Sequence, residues 1–341
     1  MKPTLKRKFF WPIIVILVAI TVIGFFWSFF IGRYPLTLQE VWDILTYKIS
    51  GLTAYWEETK ETVVLGVRLP RIAAAIFVGG ALSASGASYQ TMFKNPMVSP
   101  DLLGVSAGAG FGAALVMLHS GNWFNIQLSA FGFGLLAVLL AYLISTIFGN
   151  RSITVLVLAG VVVSSFFQAL LSVIKTLADT EDALPSITFW LMGSLGKVGL
   201  NDLLILIPMV LFGMFLLFLF RNQINTMAAG EQEAATMGVN VPLVKGVVVI
   251  SATLMTVVSV SLCGIIGWVG MVVPHIARGL VGANFGRLVA VSFFIGGIVL
   301  LVVDNLTRGT TAVNLPLGVL TSLLGTPVFV LLLAKSGKEW R

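Results

Sequence analysis

The chain alternates long apolar runs with short polar breaks. Runs such as "LLAVLLAYLI" lack the apolar/polar alternation of a barrel strand, so they read as helices in hydrocarbon. A helix rising 1.5 Å per residue needs about 20 apolar residues to cross roughly 30 Å of bilayer core. Windows of that kind predict ten spans: 10–31, 64–91, 98–118, 125–148, 153–174, 201–220, 246–263, 264–280, 287–304 and 317–335. Pro274 and His275 interrupt the eighth.

Composition agrees. Of 341 residues, 57% are hydrophobic and 10% charged, where soluble domains carry about 25% charged residues. The fold class expected is an all-α integral membrane protein with about ten transmembrane helices, one unit over 1–341. Placing the N-terminus inside puts thirteen of the 21 cations on the cytoplasmic side, as the enrichment of Lys and Arg in inner loops requires. A cell (inner) membrane location with both termini cytoplasmic follows. The first span begins with basic residues but is too long, and too poor in a small-residue cleavage site, for a signal peptide. The net charge of +7 needs only this topology, so no nucleic-acid partner is implied.

Candidate chemistry is sparse. One cysteine, Cys263, and two distant histidines, His119 and His275, offer neither a disulfide framework nor a metal site. "GSLGKVG" lacks the spacing and hydroxyl of a phosphate-binding loop, and there is no nucleophile elbow or zinc-protease helix. Uphill movement of a solute would need energy from another subunit.

Four stretches stand out. "GVSAGAGFG" sets Gly104, Gly108 and Gly112 on one helical face for close packing. Before it, "KNPMVSPDLLG" reads as a tight break with Ser99 as N-cap and Pro100 at the first helical position. The polar loop 221–245 contains "EQEAATMG", expected as a short surface helix flanked by Gly230 and Gly238 and bounded by Asn240 and Pro242. Finally, "GVRLPRIAAAIFVGG" puts Arg68 and Arg71 at the outer lip of a hydrophobic helix. Arginines there can fork onto a partner's carboxylates or snorkel to headgroups, and Asp304 stands four residues before Arg308 as a possible helical pair.

"RLPR", "GGALSASGASYQTMFKNPMVSPDLLGVSAGAG", "AAGEQEAATMGVNV", "GIIGWVGMVVPHIAR", "DNLTR" and "NLPLGVLTSLLGTPVFVLLL" resemble, in order and spacing, the FecCD permeases over about 60–335. These are membrane subunits of type II ATP-binding-cassette (ABC) importers for iron-siderophore complexes, haem, cobalamin, molybdate or tungstate. Two positions depart from the family pattern: Asn314, where Glu usually precedes Leu-Pro, and Trp268, where Phe is common. The resemblance implies a non-catalytic permease acting as a homodimer. Its partners would be two cytoplasmic ATPase subunits that use ATP and an extracytoplasmic solute-binding protein, with no cofactor on this chain. It implies docking of the binding protein at Arg68, Arg71 and Arg308, and a cytoplasmic gate at Asn95, Met97, Ser152 and Ile153. It also implies ATPase coupling through Gly230, Glu231, Glu233 and Gly238. An ion-coupled secondary transporter is the rival class, but the spans hold few acids, chiefly Asp304. An intramembrane enzyme would need a converging nucleophile and base that the spans do not supply.

Overall fold

A computed structural model describes residues 10–50, 55–149, 153–309 and 315–336. Among these residues all regular structure is helical. Seven helices are long and apolar enough to span a bilayer. They are α1 (Phe10–Ser28), α3 (Leu69–Met92, continuous with the turns from Glu58), α5 (Trp123–Gly149), α6 (Ile153–Leu177), α8 (Leu200–Leu219), α11 (Val241–Cys263) and α13 (Phe285–Gly309). Three shorter apolar helices, α4 (Val105–Met117), α12 (Val269–Val281) and α14 (Leu317–Ser336), fall on the other three predicted segments, so ten is an approximate count of the spans. Pro274 lies inside α12 without ending it.

Four further helices lie between the spans: α2 (Leu38–Ser50), α7 (Ala183–Leu191), α9 (Arg221–Ala229) and α10 (Glu231–Thr236). Of these, only α10 was expected, and it falls between Gly230 and Gly238 as the sequence suggested. The others were missed, although "TLQE" announces α2. Glu40 N–H donates to Thr37 Oγ1 at 3.3 Å while Thr37 N–H donates to Glu40 Oε2 at 2.9 Å, a reciprocal capping box.

The centre is built from α3, α11 and α13. From Gly79 to Met92 every residue of α3 is buried, as is nearly all of α11 beyond Val248. Lipid supplies no hydrophobic drive between helices, so close backbone approach has to hold them together. A Cβ on Gly79 would sit 2.2 Å from the Gly296 carbonyl oxygen, and one on Gly86 would sit 1.7 Å from that of Gly270. The helices cross at contact because neither residue has a side chain. In contrast, α1, α5, α6 and α8 leave many large apolar side chains exposed, as a lipid-facing ring does.

The glycine stripe of α4 divides its work. Gly108 and Gly112 press on the α5 backbone, where added Cβ atoms would lie 2.4 and 2.5 Å from the carbonyls of Phe133 and Ser129. Gly104 instead takes φ +85° and forms the helix start, a conformation that strains other residues. The expected start at Ser99 and Pro100 is therefore corrected: α4 begins at Val105. Asp101 Oδ1 accepts from Ser106 N–H at 2.6 Å and does the capping.

Candidate functional site

The two ends of α3 carry the polar machinery. At its N-terminal end, a π-helical turn (Thr62–Arg68) leads into Arg68, Pro70 and Arg71; such turns widen a helix locally and recur at functional sites. The Arg68 side chain is buried, at 4% exposure, and donates to the backbone carbonyls of Phe29 and Tyr34. It thus ties the loop after α1 to α3. Arg71 Nε donates to Asp304 Oδ1 at 2.8 Å, and its Nη2 donates to Thr307 Oγ1 at 3.1 Å. Arg308 meets the other carboxylate oxygen, Nε to Oδ2 at 3.0 Å, and reaches the carbonyls of Ser28 and Ile31 at 3.3 and 3.5 Å.

The three arginines are therefore gathered around one fully buried carboxylate and the chain end of α1. The i,i+4 pairing of Asp304 with Arg308 is present. The contact of Arg71 with Asp304, across 233 residues of sequence, had no local signal. Two cations on one buried acid leave the cluster net positive, and the cost of burying Asp304 is offset by ion pairs on both of its oxygens.

At the other end, α3 runs into the loop that carries Asn95 and Met97. Both are exposed, and Met97 N–H donates to Asn95 Oδ1 at 2.9 Å. Ile153 opens α6, while Ser152 lies outside the described residues. Helices α9 and α10 pack beneath this loop and are joined to three different spans. Lys94 Nζ donates to the Ala229 carbonyl at 3.2 Å, Phe285 N–H at the head of α13 donates to Asn225 Oδ1 at 2.7 Å, and Lys245 of α11 pairs with Glu231 at 2.7 Å.

Lys94, Asn225 and Lys245 were missed by sequence reading, because each acts through a tertiary contact. Gly230 has extended backbone, and a Cβ there would meet the Glu233 carboxylate. Gly238, by contrast, sits at φ +82° in open space, so its need is conformational. Asn240 caps α11, its Oδ1 accepting from Leu243 N–H at 3.1 Å, with Pro242 in the first turn.

Back at the arginine end, the ends of α7, α11 and α14 meet as non-helical backbone. Ser194 N–H donates to the Cys263 carbonyl at 2.7 Å, and Leu317 N–H donates to that of Gly193 at 3.0 Å. A Cβ on Gly264 would lie 2.1 Å from the Trp190 carbonyl oxygen, so the crossing is at backbone contact. Among the described residues no group of three or more His, Cys, Asp or Glu side chains could hold a metal ion.

Ten apolar helices around a glycine-packed centre, charged at one end and bearing a jointed polar segment at the other, define a multi-pass membrane permease. The FecCD transport family model matches residues 20–335, and the chain belongs to that family. Its fold is that of a type II ABC importer permease. A solved chain described as "An inward-facing conformation of a putative metal-chelate type ABC transporter" superposes with a TM-score of 0.84 at 34% identity, covering 95% of this chain and 99% of that one. The chain is 36% identical over 338 residues to the molybdate import system permease protein MolB of Haemophilus influenzae, covering 98% of each. It is also 36% identical over 307 residues to the "Probable iron chelatin transport system permease protein" of Helicobacter pylori strain 26695, covering 89% of this chain and 93% of that one.

Proposed function

We propose that this chain forms the translocation pathway for an iron-siderophore or similar metal chelate. In this reading two copies assemble in the cell membrane, a solute-binding protein delivers cargo outside, and two ATPase subunits hydrolyse ATP on the cytoplasmic side. The carrying observation is the polar segment α9–α10, bonded at once to the loop after α3, to α11 and to α13. A nucleotide-driven push on that segment would reach all three as a rigid-body shift. Gly230 and Gly238 set its bends, while Glu231 and Glu233 supply acidic surface at the start of α10.

Through Lys94 the same push reaches Asn95 and Met97, which with Ser152 and Ile153 form the gate. At the opposite end Arg71 and Arg308 supply the positive charge on which acidic lobes of a binding protein dock. Arg68, its terminal nitrogens engaged by backbone carbonyls, holds the docking loop in place and adds to the field.

A molybdate-type oxyanion is the second reading of the cargo, favoured by the similarity to the molybdate permease over 98% of the chain. The test is uptake into proteoliposomes holding this chain with its ATPase. Iron-chelate uptake that requires both ATP and the binding protein is expected. Molybdate uptake under the same conditions moves the assignment to the second reading, and uptake driven by an ion gradient without an ATPase overturns the importer reading.

A further inference from the structure

A cavity of about 620 Å³ opens at the arginine end, between α7, the α4–α5 turn and the head of α14. That volume falls in the range of small-molecule sites, roughly 300–1,000 Å³. Its floor is the crossing of unwound backbone around Gly193, Cys263 and Leu317. In a membrane protein, non-helical backbone at depth is tolerated only where it is buried in protein or lines a water-filled space, and broken helices of this kind commonly build solute sites.

The walls are rich in donors. Arg71 lines the cavity with Nε and Nη2 already engaged, and Nη1 has no acceptor among the described residues. That nitrogen faces Gly196 on the same wall, where an added Cβ would lie 3.7 Å from it. Lys197 is exposed, has no carboxylate partner among the described residues, and rests 5.0 Å from the centroid of the Trp123 ring. The indole N–H groups of Trp123 and Trp190, both lining residues, are buried and have no acceptor among the described residues. Trp190 is more than nine-tenths buried, and a buried donor without an acceptor costs about 1–3 kcal/mol. Against this stands one lining carboxylate, Asp182, exposed at the rim.

From this wall we infer that the cavity is an anion-binding vestibule, in which Arg71 Nη1 and Lys197 hold the negative charge of the solute on its way into the pathway. The inference rests on the importer reading and narrows its cargo to acceptor-rich anions. A neutral solute would leave Lys197 without a counter-charge and Arg71 with its Asp304 pair alone, whereas an anion supplies acceptors to Arg71 Nη1, to Lys197 and to the Ser194 hydroxyl beside them. A free tetrahedral oxyanion and an anionic iron(III) chelate share that chemistry.

Equilibrium dialysis of the purified full-length chain in nanodiscs, without binding protein, tests the site with sodium molybdate and ferric citrate as separate probes. Saturable binding of at least one probe is expected, weakening as salt rises. Binding should fall about tenfold or more in Lys197→Glu, by loss of a charge-assisted contact, and stay near wild type in Lys197→Arg. Intrinsic fluorescence should respond to the bound probe in wild type and lose most of that response in Trp123→Phe. Molybdate binding alone assigns the oxyanion; ferric citrate binding alone assigns the chelate. Saturable binding of neither, or wild-type binding by Lys197→Glu, overturns the vestibule. Binding-protein-stimulated ATP hydrolysis by the assembled wild-type importer separates the two readings. If stimulation is present and both probes fail to bind, the vestibule falls and the importer stands; probe binding without stimulation gives the reverse.

Discussion

The two ends of α3 solve opposite problems with similar residues. At the arginine end, charge is buried and over-determined: Asp304 is held by two arginines, and Arg68 and Arg308 each grip backbone carbonyls of the loop after α1. At the loop end, Ile224, Met227 and Ala234 seat the segment in the core, but charge is half-exposed and each polar joint is a single hydrogen bond or ion pair, Lys94 to Ala229 or Lys245 to Glu231. A cluster with many partners has one arrangement and resists change, whereas single joints between rigid helices let one helix move against another. On the function proposed above, the difference makes the first end a fixed platform and the second a lever.

That contrast can be broken most severely at Asp304. Asp304→Ala leaves Arg308 as a buried, uncompensated charge, and breaking a buried pair from one side costs about 3–5 kcal/mol. A large drop in thermal stability of the detergent-purified chain is expected. Replacing Arg308 by Met in the same variant should return part of the loss, which a purely local packing defect would not allow.

Docking comes next. Arg71→Glu should weaken association with the binding protein by about 2–5 kcal/mol if the contact is desolvated, and salt should weaken the wild-type complex. A carboxylate-to-Lys change on the partner should restore part of the affinity. Interferometry on nanodisc complexes reads both effects, and wild-type affinity in Arg71→Glu would remove that residue from the docking surface.

At the lever end, stability should hardly move while function does. Lys245–Glu231 is partly exposed, and such a pair contributes about 0–1 kcal/mol. Glu231→Lys should nonetheless lower transport per ATP hydrolysed, and the swap Glu231→Lys with Lys245→Glu should recover it. An unchanged ratio in the single variant would show that this joint carries no push.

The smallest effect expected is one of pH, in the surface helix α2. The Lys60 ammonium, then the Thr37 backbone and hydroxyl, hold the Glu40 carboxyl down at about 2 from its ordinary 4.5. A depressed carboxylate contributes stability that is full above its ordinary value and lost as pH falls through the depressed one. The melting-temperature gap between wild type and Glu40→Gln should therefore be present at pH 7 and close towards pH 2.

How far the sequence shows this design depends on whether a feature is local. The ten spans are legible because hydrocarbon thickness sets a minimum apolar run, and α10 is legible because its two glycines bracket it. Span edges are less so: 98–118 contracts to Val105–Met117 because a left-handed Gly104 and the Asp101 cap, not the hydropathy, start the helix. The arginines are visible as charges, but their burial is not, since Asp304 and the carbonyls of Phe29 and Tyr34 reach them only through tertiary structure. Helix α7 and its crossing with α11 and α14 are likewise invisible locally, because their backbone hydrogen bonds join segments about 70–125 residues apart, a pairing with no periodic sequence signal.

The contrast between platform and lever is tested most directly by inter-copy distances in the proposed two-copy importer. Spin labels would be placed at Met97→Cys on the lever end or at Thr59→Cys on the platform end, each in a Cys263→Ala background. Pulsed dipolar spectroscopy with and without ATP should show the distance between copies at position 97 shifting with nucleotide and that at position 59 holding still. A constant distance at 97, or an equal shift at 59, would contradict the account.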